Sequence, residues 1–251
     1  MATDAFVTQA RGMDASAAAT GTLAFNTDLD VRYPEIDCDA GTPSGVDCFA
    51  RAGRGVIRGL GTVEEAYLYK VDGAPAGCAI DEVRVLPATA RLSVQGKGAI
   101  DVSLGGSGCT RRGNAPLRAE EAFTITGGSG RYAGASGGGV YVDVSLGPPS
   151  FRGRDTWRGT LIVSGLEFDL TPPVLTGARN RTLRIARGRK RVRVAYSVTA
   201  RDDVDGALSA TCRPRSKSWF RVGRTRVLCS AIDTSGNEKT VSFVVTVRRA
   251  R

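Results

Sequence analysis

Apolar and polar residues alternate in short runs along the first two thirds of the chain. Residues 63–71, VEEAYLYKV, show this pattern, and glycine, proline, asparagine or aspartate separate one run from the next. Because successive side chains of a strand point to opposite faces, a period of two predicts strands with one buried face. The predicted strands are residues 21–30, 55–60, 63–71, 81–94, 99–104, 117–126, 140–146 and 156–163.

These runs indicate an all-β fold. Helix-forming residues are scarce in periodic runs, and the connections between the predicted strands are mostly short. Seven or eight antiparallel strands over about 150 residues can remove their exposed edges by closing into a barrel. We therefore predict a closed or nearly closed antiparallel β-barrel, with a β-sandwich as the alternative.

The sequence DLTPP at residues 169–173 marks a boundary, because two consecutive prolines stiffen a short linker. The net charge also changes there, from −3 for residues 1–168 to +13 for residues 169–251, within a total of +10. Such a difference indicates two modules. We predict a flexible segment at residues 1–20, a disulfide-bonded β-barrel at residues 21–168 and a second β domain at residues 169–251.

The six cysteines predict disulfide bonds. None of them belongs to a C-x-x-C pair, the spacing typical of zinc ribbons and thioredoxin-like sites. An even number, spread as three local pairs, favours an oxidising compartment, and buried reduced cysteines in the cytosol are the alternative. The predicted pairs are Cys38–Cys48, Cys78–Cys109 and Cys212–Cys229.

The cysteine pattern points to an extracellular or cell-surface protein. No stretch is apolar enough to be a transmembrane segment, and the N-terminal MATDAFVTQARGMDASAAATG lacks the apolar core of a secretory signal. We therefore expect a secreted, mature chain from which a signal peptide has been removed and to which a starting Met has been added.

The chain contains no histidine. This excludes Ser-His-Asp and Cys-His catalysis and histidine-ligated zinc. In the adjacent acidic pairs of the barrel, one side chain of each pair points inward and is a candidate acid or base. Tyr67, Tyr69 and Tyr141 are candidates for lining a ligand cavity beside such a glutamate. The alternative is that these tyrosines fill the core of the barrel. The acidic pairs are Glu64-Glu65, Asp81-Glu82 and Glu120-Glu121.

The glycine-rich stretch FTITGGSGRYAGASG resembles a turn of the allene oxide cyclase and dirigent-like barrel modules found in bacterial secreted proteins. That resemblance implies an eight-stranded barrel with a central cavity. No catalytic residue of that family can be matched onto this chain, so its chemistry is not carried over. A nucleotide-binding loop is excluded, because strand-forming residues rather than a helix follow the glycines.

The C-terminal third carries a second resemblance. The segments DLTPPVLTG, VAYSVTARDDVDG, TCRP, WFRVGRTRVLCSAIDTSGN and VSFVVTV look like a hyalin repeat (HYR) domain over nearly all of residues 169–251. The resemblance implies an immunoglobulin-like β-sandwich and an extracellular, adhesion-associated protein. The sequence departs from that pattern in the density of arginine in its first strands.

The arginine-rich segment RGRKRVR, residues 187–193, is a candidate polyanion site. The alternative is a solvated strand face, because alternate residues of a strand share one side. Acidic polysaccharide or an extracellular protein is the expected partner, and nucleic acid is not favoured because no base-reading motif is present. The candidate residues are Arg187, Arg189, Arg191 and Arg193.

Acidic residues of the second module are expected to converge near its junction with the barrel. In an immunoglobulin-like sandwich the chain start and the loops holding residues 202–205 and 233–237 lie at one end. Oxygen ligands from several loops can bind Ca²⁺, although Asx-turns are the favoured alternative and no cofactor is required. The weak Ca²⁺ candidates are Asp169, Asp203, Asp205 and Asp233.

Together these patterns predict a secreted or cell-surface binding or adhesion protein that is not an enzyme. The alternative is a barrel whose central cavity binds or isomerises a small apolar ligand.

Overall fold

The computed structural model describes residues 19–111, 117–146 and 149–250, and all regular secondary structure in these ranges is β-strand. The segment predicted to be flexible, residues 1–20, lies outside the described residues except for the last two, which begin the first strand. The described part of the chain contains no helix that is long and apolar enough to cross a membrane.

Within its described residues, the first module contains eleven strands. They are β1 (Ala19–Arg32), β2 (Glu35–Ile36), β3 (Val46–Ile57), β4 (Gly61–Asp72), β5 (Glu82–Val85), β6 (Ala88–Val94), β7 (Gly98–Leu104), β8 (Thr110–Arg111), β9 (Leu117–Gly130), β10 (Ser136–Ser145) and β11 (Arg152–Phe168).

Eight of these strands close into an antiparallel barrel. The order around it is β3-β1-β11-β10-β9-β7-β6-β4, and β4 pairs with β3 to complete the ring. The glycine-rich stretch is a strand connection from β9 to β10, as predicted. The barrel prediction is therefore confirmed over its β-sandwich alternative, and closure leaves none of these eight strands with a free edge.

The boundaries of β3 differ from the prediction. The sequence predicted a strand at residues 55–60, whereas β3 begins at Val46, ends at Ile57 and pairs with β4 along its whole length. Its inward positions include Arg51 and Gly53, which contribute no apolar side chain to the pattern. The weak apolar signal explains why pairing with β4, rather than local sequence, defines this strand.

The second module is an immunoglobulin-like β-sandwich with its own core. Its strands are β12 (Val174–Thr176), β13 (Arg181–Ile185), β14 (Arg191–Val194), β15 (Thr199–Asp202), β16 (Gly206–Leu208), β17 (Thr211–Arg213), β18 (Ser218–Arg221), β19 (Gly223–Ile232) and β20 (Glu238–Arg249). They form sheets of order β12-β15-β16, β13-β20-β19-β17 and β14-β18. Phe220, Val227, Phe243 and Val245 are buried in its core.

The structure contains the three predicted disulfide bonds. Two of them, Cys38–Cys48 and Cys78–Cys109, lie in the barrel module, and Cys212–Cys229 joins β17 to β19. In the chain-entropy account, each bond lowers the entropy of the unfolded state and stabilises the fold by about 3 kcal/mol.

Candidate functional site

The barrel interior contains the three tyrosines that sequence reasoning named as cavity candidates. Tyr67 and Tyr69 point inward from β4, and Tyr141 points inward from β10. The hydroxyls of Tyr67 and Tyr141 are hydrogen-bonded to each other at 2.7 Å. The Tyr69 hydroxyl donates to Asp143. The Tyr141 ring lies 4.5 Å from the ring of Trp157, so the three side chains form part of a packed aromatic and polar interior.

A buried arginine lies at the centre of this interior. Arg51, on β3, is 1% exposed and pairs with Asp143 and Asp155. Its Nε atom donates to Asp155 Oδ2 at 2.8 Å, and its Nη2 atom donates to Asp143 Oδ1 at 2.6 Å. Its Nη1 atom donates to the Ser145 hydroxyl at 3.1 Å. The guanidinium also lies 4.8 Å from the centre of the Tyr69 ring. All three nitrogens of this cation therefore have a hydrogen-bond partner inside the barrel, and its carbon lies near an aromatic ring.

Glu65 adds a third buried carboxyl to this network. Its Oε2 atom accepts a hydrogen bond of 2.8 Å from the indole nitrogen of Trp157. The pKa of Glu65 is raised well above its ordinary value, mainly by burial and to a smaller extent by the charge of Asp155. The raised pKa favours the protonated form of this carboxyl. Gly53 lies opposite Glu65 on β3, and a Cβ atom there would come within 2.7 Å of Glu65 Oε1. Glycine at this position leaves room for the carboxyl.

Sequence reasoning identified Glu65 only as one of two adjacent acids and did not identify Arg51, Asp143 or Asp155. The available signal was the two-residue period, because Asp143 shares a strand face with Tyr141. The outward member of each acidic pair on β4 and β9 is exposed and the inward member is buried, as the alternation predicted. The outward members are Glu64 and Glu120, and the inward members are Glu65 and Glu121.

Glu121 lies near one edge of the same interior. Its Oε2 atom accepts a hydrogen bond of 3.0 Å from the Gly106 amide, and its Oε1 atom has no partner among the described residues. Burial raises the pKa of Glu121 to about 7, with a smaller contribution from the charge of Asp143. This carboxyl therefore titrates near neutral pH.

The junction between the modules is made by the β3–β4 turn and the β19–β20 loop. The Gly59 amide donates to Ser235 O at 2.7 Å, and Arg58 Nε donates to Asn237 Oδ1 at 3.0 Å. A Cβ atom on Gly61 would lie 2.2 Å from Thr234 O, and the φ angle of Gly61 is 103°, so only glycine fits this close approach.

Lys97, in the turn between β6 and β7, also connects the two modules. Its ammonium donates to Leu60 O and to Thr234 O, both at 2.9 Å. The pKa of Lys97 is lowered, mainly by desolvation and to a smaller extent by the positive charge of Arg131. Beside these contacts lies a cleft of about 330 Å³ whose lining includes Lys97, Arg131 and Asp169.

The structure places the acidic candidates of the second module around this cleft. Asp203 and Asp205 line it, and Asp205 accepts hydrogen bonds from the Thr234 amide and hydroxyl. The carboxylates that meet are those of Asp169, Asp202 and Asp233, with one oxygen of each within 4.8 Å of the others. Two of the four Ca²⁺ candidates, Asp169 and Asp233, therefore belong to this cluster. The third member is Asp202, because its side chain turns into the module while that of Asp203 is exposed.

The arginine candidates lie on an exposed face of the second module. Arg187 and Arg189 belong to the turn before β14, and Arg191 and Arg193 project from β14. On the neighbouring strand β18, Trp219 is 49% exposed. The guanidinium groups of Arg191 and Arg193 lie 4.7 Å and 5.2 Å from the centre of its ring. Arg221 completes this face opposite Arg191. We refer to Arg191, Arg193, Trp219 and Arg221 as the basic face.

Comparison with protein families assigns the second module. Residues 168–247 match the family model of the HYR domain, which covers about a third of the 251-residue chain. This match confirms the C-terminal resemblance. A search of curated proteins finds no match for the chain. The barrel has the fold that the allene oxide cyclase and dirigent-like resemblance implied, and its membership of that family stays a prediction.

Proposed function

We propose that the protein is a secreted or cell-surface, non-enzymatic binding protein whose HYR domain contacts acidic extracellular polymers through the basic face. An HYR domain together with three disulfide bonds is typical of extracellular or cell-surface proteins. Acidic polysaccharide is the favoured partner, and an acidic extracellular protein is chemically equivalent at this surface.

The observation that carries the proposal is the unpaired positive charge of the HYR domain. None of the lysines and arginines from Arg179 to Arg249 forms an ion pair with an acidic residue in the described ranges. Five of the six acidic residues after position 168 lie at or beside the module junction instead. The basic face therefore has no local counter-charge, and a polyanion can supply it.

The geometry of the basic face suits an extended anionic chain. Arg191 and Arg193 are two residues apart on one strand and stack on the same exposed indole, which restrains both guanidinium groups. Guanidinium groups bind carboxylate and sulfate oxygens with paired hydrogen bonds. The exposed part of the indole ring offers an apolar surface on which a sugar ring can pack.

The test is binding to heparin as a probe polyanion over a range of salt concentrations. Replacing Arg191 and Arg193 together by serine should weaken binding about 10-fold near 0.15 M salt and lower the slope of log K against log salt by about 2. The matched control replaces Arg224 and Arg226, which are also exposed and are also two residues apart, on β19. Equal losses from both double variants would show that net charge, rather than the basic face, governs binding.

A second candidate function rests on the barrel interior, where buried Glu65 with a raised pKa lies near Tyr67 and Tyr141. Such groups recur in sites that bind or isomerise small apolar molecules. The hydrogen bond between Tyr67 and Tyr141 and the ring contact between Tyr141 and Trp157 support a side-chain-filled interior instead. Native mass spectrometry of the full chain distinguishes an open cavity from a filled interior. A retained small ligand would support the cavity, and a mass equal to that of the polypeptide alone would support the filled interior.

A further inference from the structure

Three carboxylates from different parts of the HYR domain meet at the module junction. Asp169 follows β11 at the start of the linker, Asp202 ends β15, and Asp233 begins the loop between β19 and β20. One oxygen from each lies within 4.8 Å of the others. None of the three forms an ion pair with a lysine or arginine among the residues that the structure describes.

Hydrogen bonds account for only part of the acceptor capacity of this cluster. Asp233 accepts from the amides of Ser235 and Asn237 at 2.9 and 2.8 Å and from the Asn237 side chain at 2.8 Å. Asp202 Oδ1 accepts from the amides that follow it in its own turn. Asp169 Oδ1 accepts from the Thr171 amide at 2.9 Å.

Two oxygens of the cluster are buried and accept no hydrogen bond within the described residues: Asp202 Oδ2 and Asp169 Oδ2. Asp202 is 3% exposed, so its second oxygen is withdrawn from solvent as well as from protein donors. An ionised carboxylate in such a position needs a compensating charge. This unpartnered oxygen distinguishes the cluster from an ordinary group of Asx-turns.

We propose that Asp169, Asp202 and Asp233 bind a calcium ion at the junction of the barrel and the HYR domain. Calcium takes six to eight oxygen ligands at about 2.3–2.6 Å, so two ligands on one ion lie at most about 5 Å apart. The spacing of the three carboxylates fits that limit. Asp169 also lines the junction cleft, which provides a path from solvent and room for water ligands.

The ion would join segments that already hold the modules together. The loop after Asp233 supplies Thr234, Ser235 and Asn237 to the barrel contacts, and Asn237 also donates to Asp169 O at 3.1 Å. Calcium would therefore tie the linker, β15 and this loop into one unit. The competing arrangement is a shared proton, since burial and the charges of Asp233 and Asp202 raise the pKa of Asp169.

The experiment is calcium titration of the full chain by calorimetry, together with Tm in 10 mM Ca²⁺ and in chelator. We expect one bound ion and a Tm about 3–6 °C higher with calcium. Asp202→Asn is the decisive variant, because the amide oxygen can still accept the two turn hydrogen bonds while the charge is lost. It should abolish calcium binding and be at least as stable as the wild type in chelator.

Asp203→Asn is the matched control, since it removes the same charge from the adjacent exposed position and should keep the calcium response. Equal Tm values for the wild-type protein with and without calcium would overturn the proposal in favour of a shared proton. An undiminished calcium response in Asp202→Asn would overturn it by placing the ion elsewhere. Asp169→Asn provides a second variant should Asp202→Asn fail to fold, with the same loss of binding expected.

Discussion

The barrel and the HYR domain use the same alternation of inward and outward side chains but place their positive charge differently. In the barrel, Arg51 points inward and is fully paired with Asp143 and Asp155. In the HYR domain, Arg191 and Arg193 point outward and have no acidic partner in the described ranges. The first arrangement specifies how the strands pack, and the second leaves charge available for a partner.

The difference shows that the effect of a charged residue in a strand depends on whether its side chain points inward or outward. A buried charge must be matched by hydrogen bonds and counter-charge, so it constrains its neighbours in the fold. An exposed charge is screened by solvent and salt and contributes little to stability. Substitutions in the two modules should therefore affect different properties, namely stability in the barrel and binding in the HYR domain.

The largest effect is expected from Arg51→Met. The substitution leaves Asp143 and Asp155 buried without a cation, which should lower the free energy of unfolding by about 3–5 kcal/mol. Urea unfolding followed by Trp157 fluorescence, in a Trp219→Phe background, reports on the barrel. The control Arg54→Met removes an exposed arginine paired with Glu64 at 3.5 Å and should cost less than about 1 kcal/mol. Equal effects of the two would contradict the contrast between buried and exposed charge.

A smaller effect is expected from pH through Glu121. Its pKa rises from an ordinary value of 4.5 to about 7 on folding, so the folded state binds the proton more tightly. The resulting stabilisation is complete below pH 4.5 and is lost as the pH rises through 7. The wild-type protein should therefore lose stability between pH 5 and pH 8. Glu121→Gln should reduce that loss by about 1–3 kcal/mol in urea unfolding at the two pH values.

Glu120→Gln is the matched control for this measurement, because Glu120 is the exposed neighbour on β9. It should leave the pH dependence of unfolding unchanged. The interpretation of Glu121 is wrong if the two variants behave alike. Glu65, whose pKa is also raised, contributes in the same direction and remains in both variants.

The smallest effect is expected where the two modules touch. Gly61→Ala places a Cβ atom 2.2 Å from Thr234 O, so the junction must open. Gly96→Ala introduces an alanine at another positive φ of 71°, where no described residue other than its chain neighbours has an atom within 4 Å of the new Cβ. Both variants carry the backbone cost of a positive φ, of about 1 kcal/mol or more. Gly61→Ala should lower Tm by a further 2–4 °C or so, measured by calorimetry, and no difference would argue against a packed junction.

Much of the fold could be predicted because it depends on local patterns. Alternation located most of the barrel strands, and cysteines close in sequence formed the predicted pairs. The HYR segments were recognisable because strand and turn residues recur at set positions. The start of β3 was missed, since its register is defined by pairing with β4 rather than by its own weak apolar pattern.

The candidate sites were less accessible to sequence reasoning because their members are distant in the chain. Arg51 meets Asp143 and Asp155 across 92 and 104 residues, and it does so only once the barrel has closed. The sequence included Asp202 among the acids expected near the junction, but nothing local indicated that its carboxylate, rather than that of Asp203, would turn inward.

The sequence by itself determined the all-β class, the disulfide pairs and the excess of positive charge in the HYR domain. The fold class and the charge follow from composition and from a two-residue period, and the disulfide pairs follow from the short spacing of the cysteines along the chain. The tertiary structure alone decided which inward polar residues become partners and which oxygens at the junction remain without one. The physical reason is that strand register and barrel closure set distances between residues that local sequence does not relate.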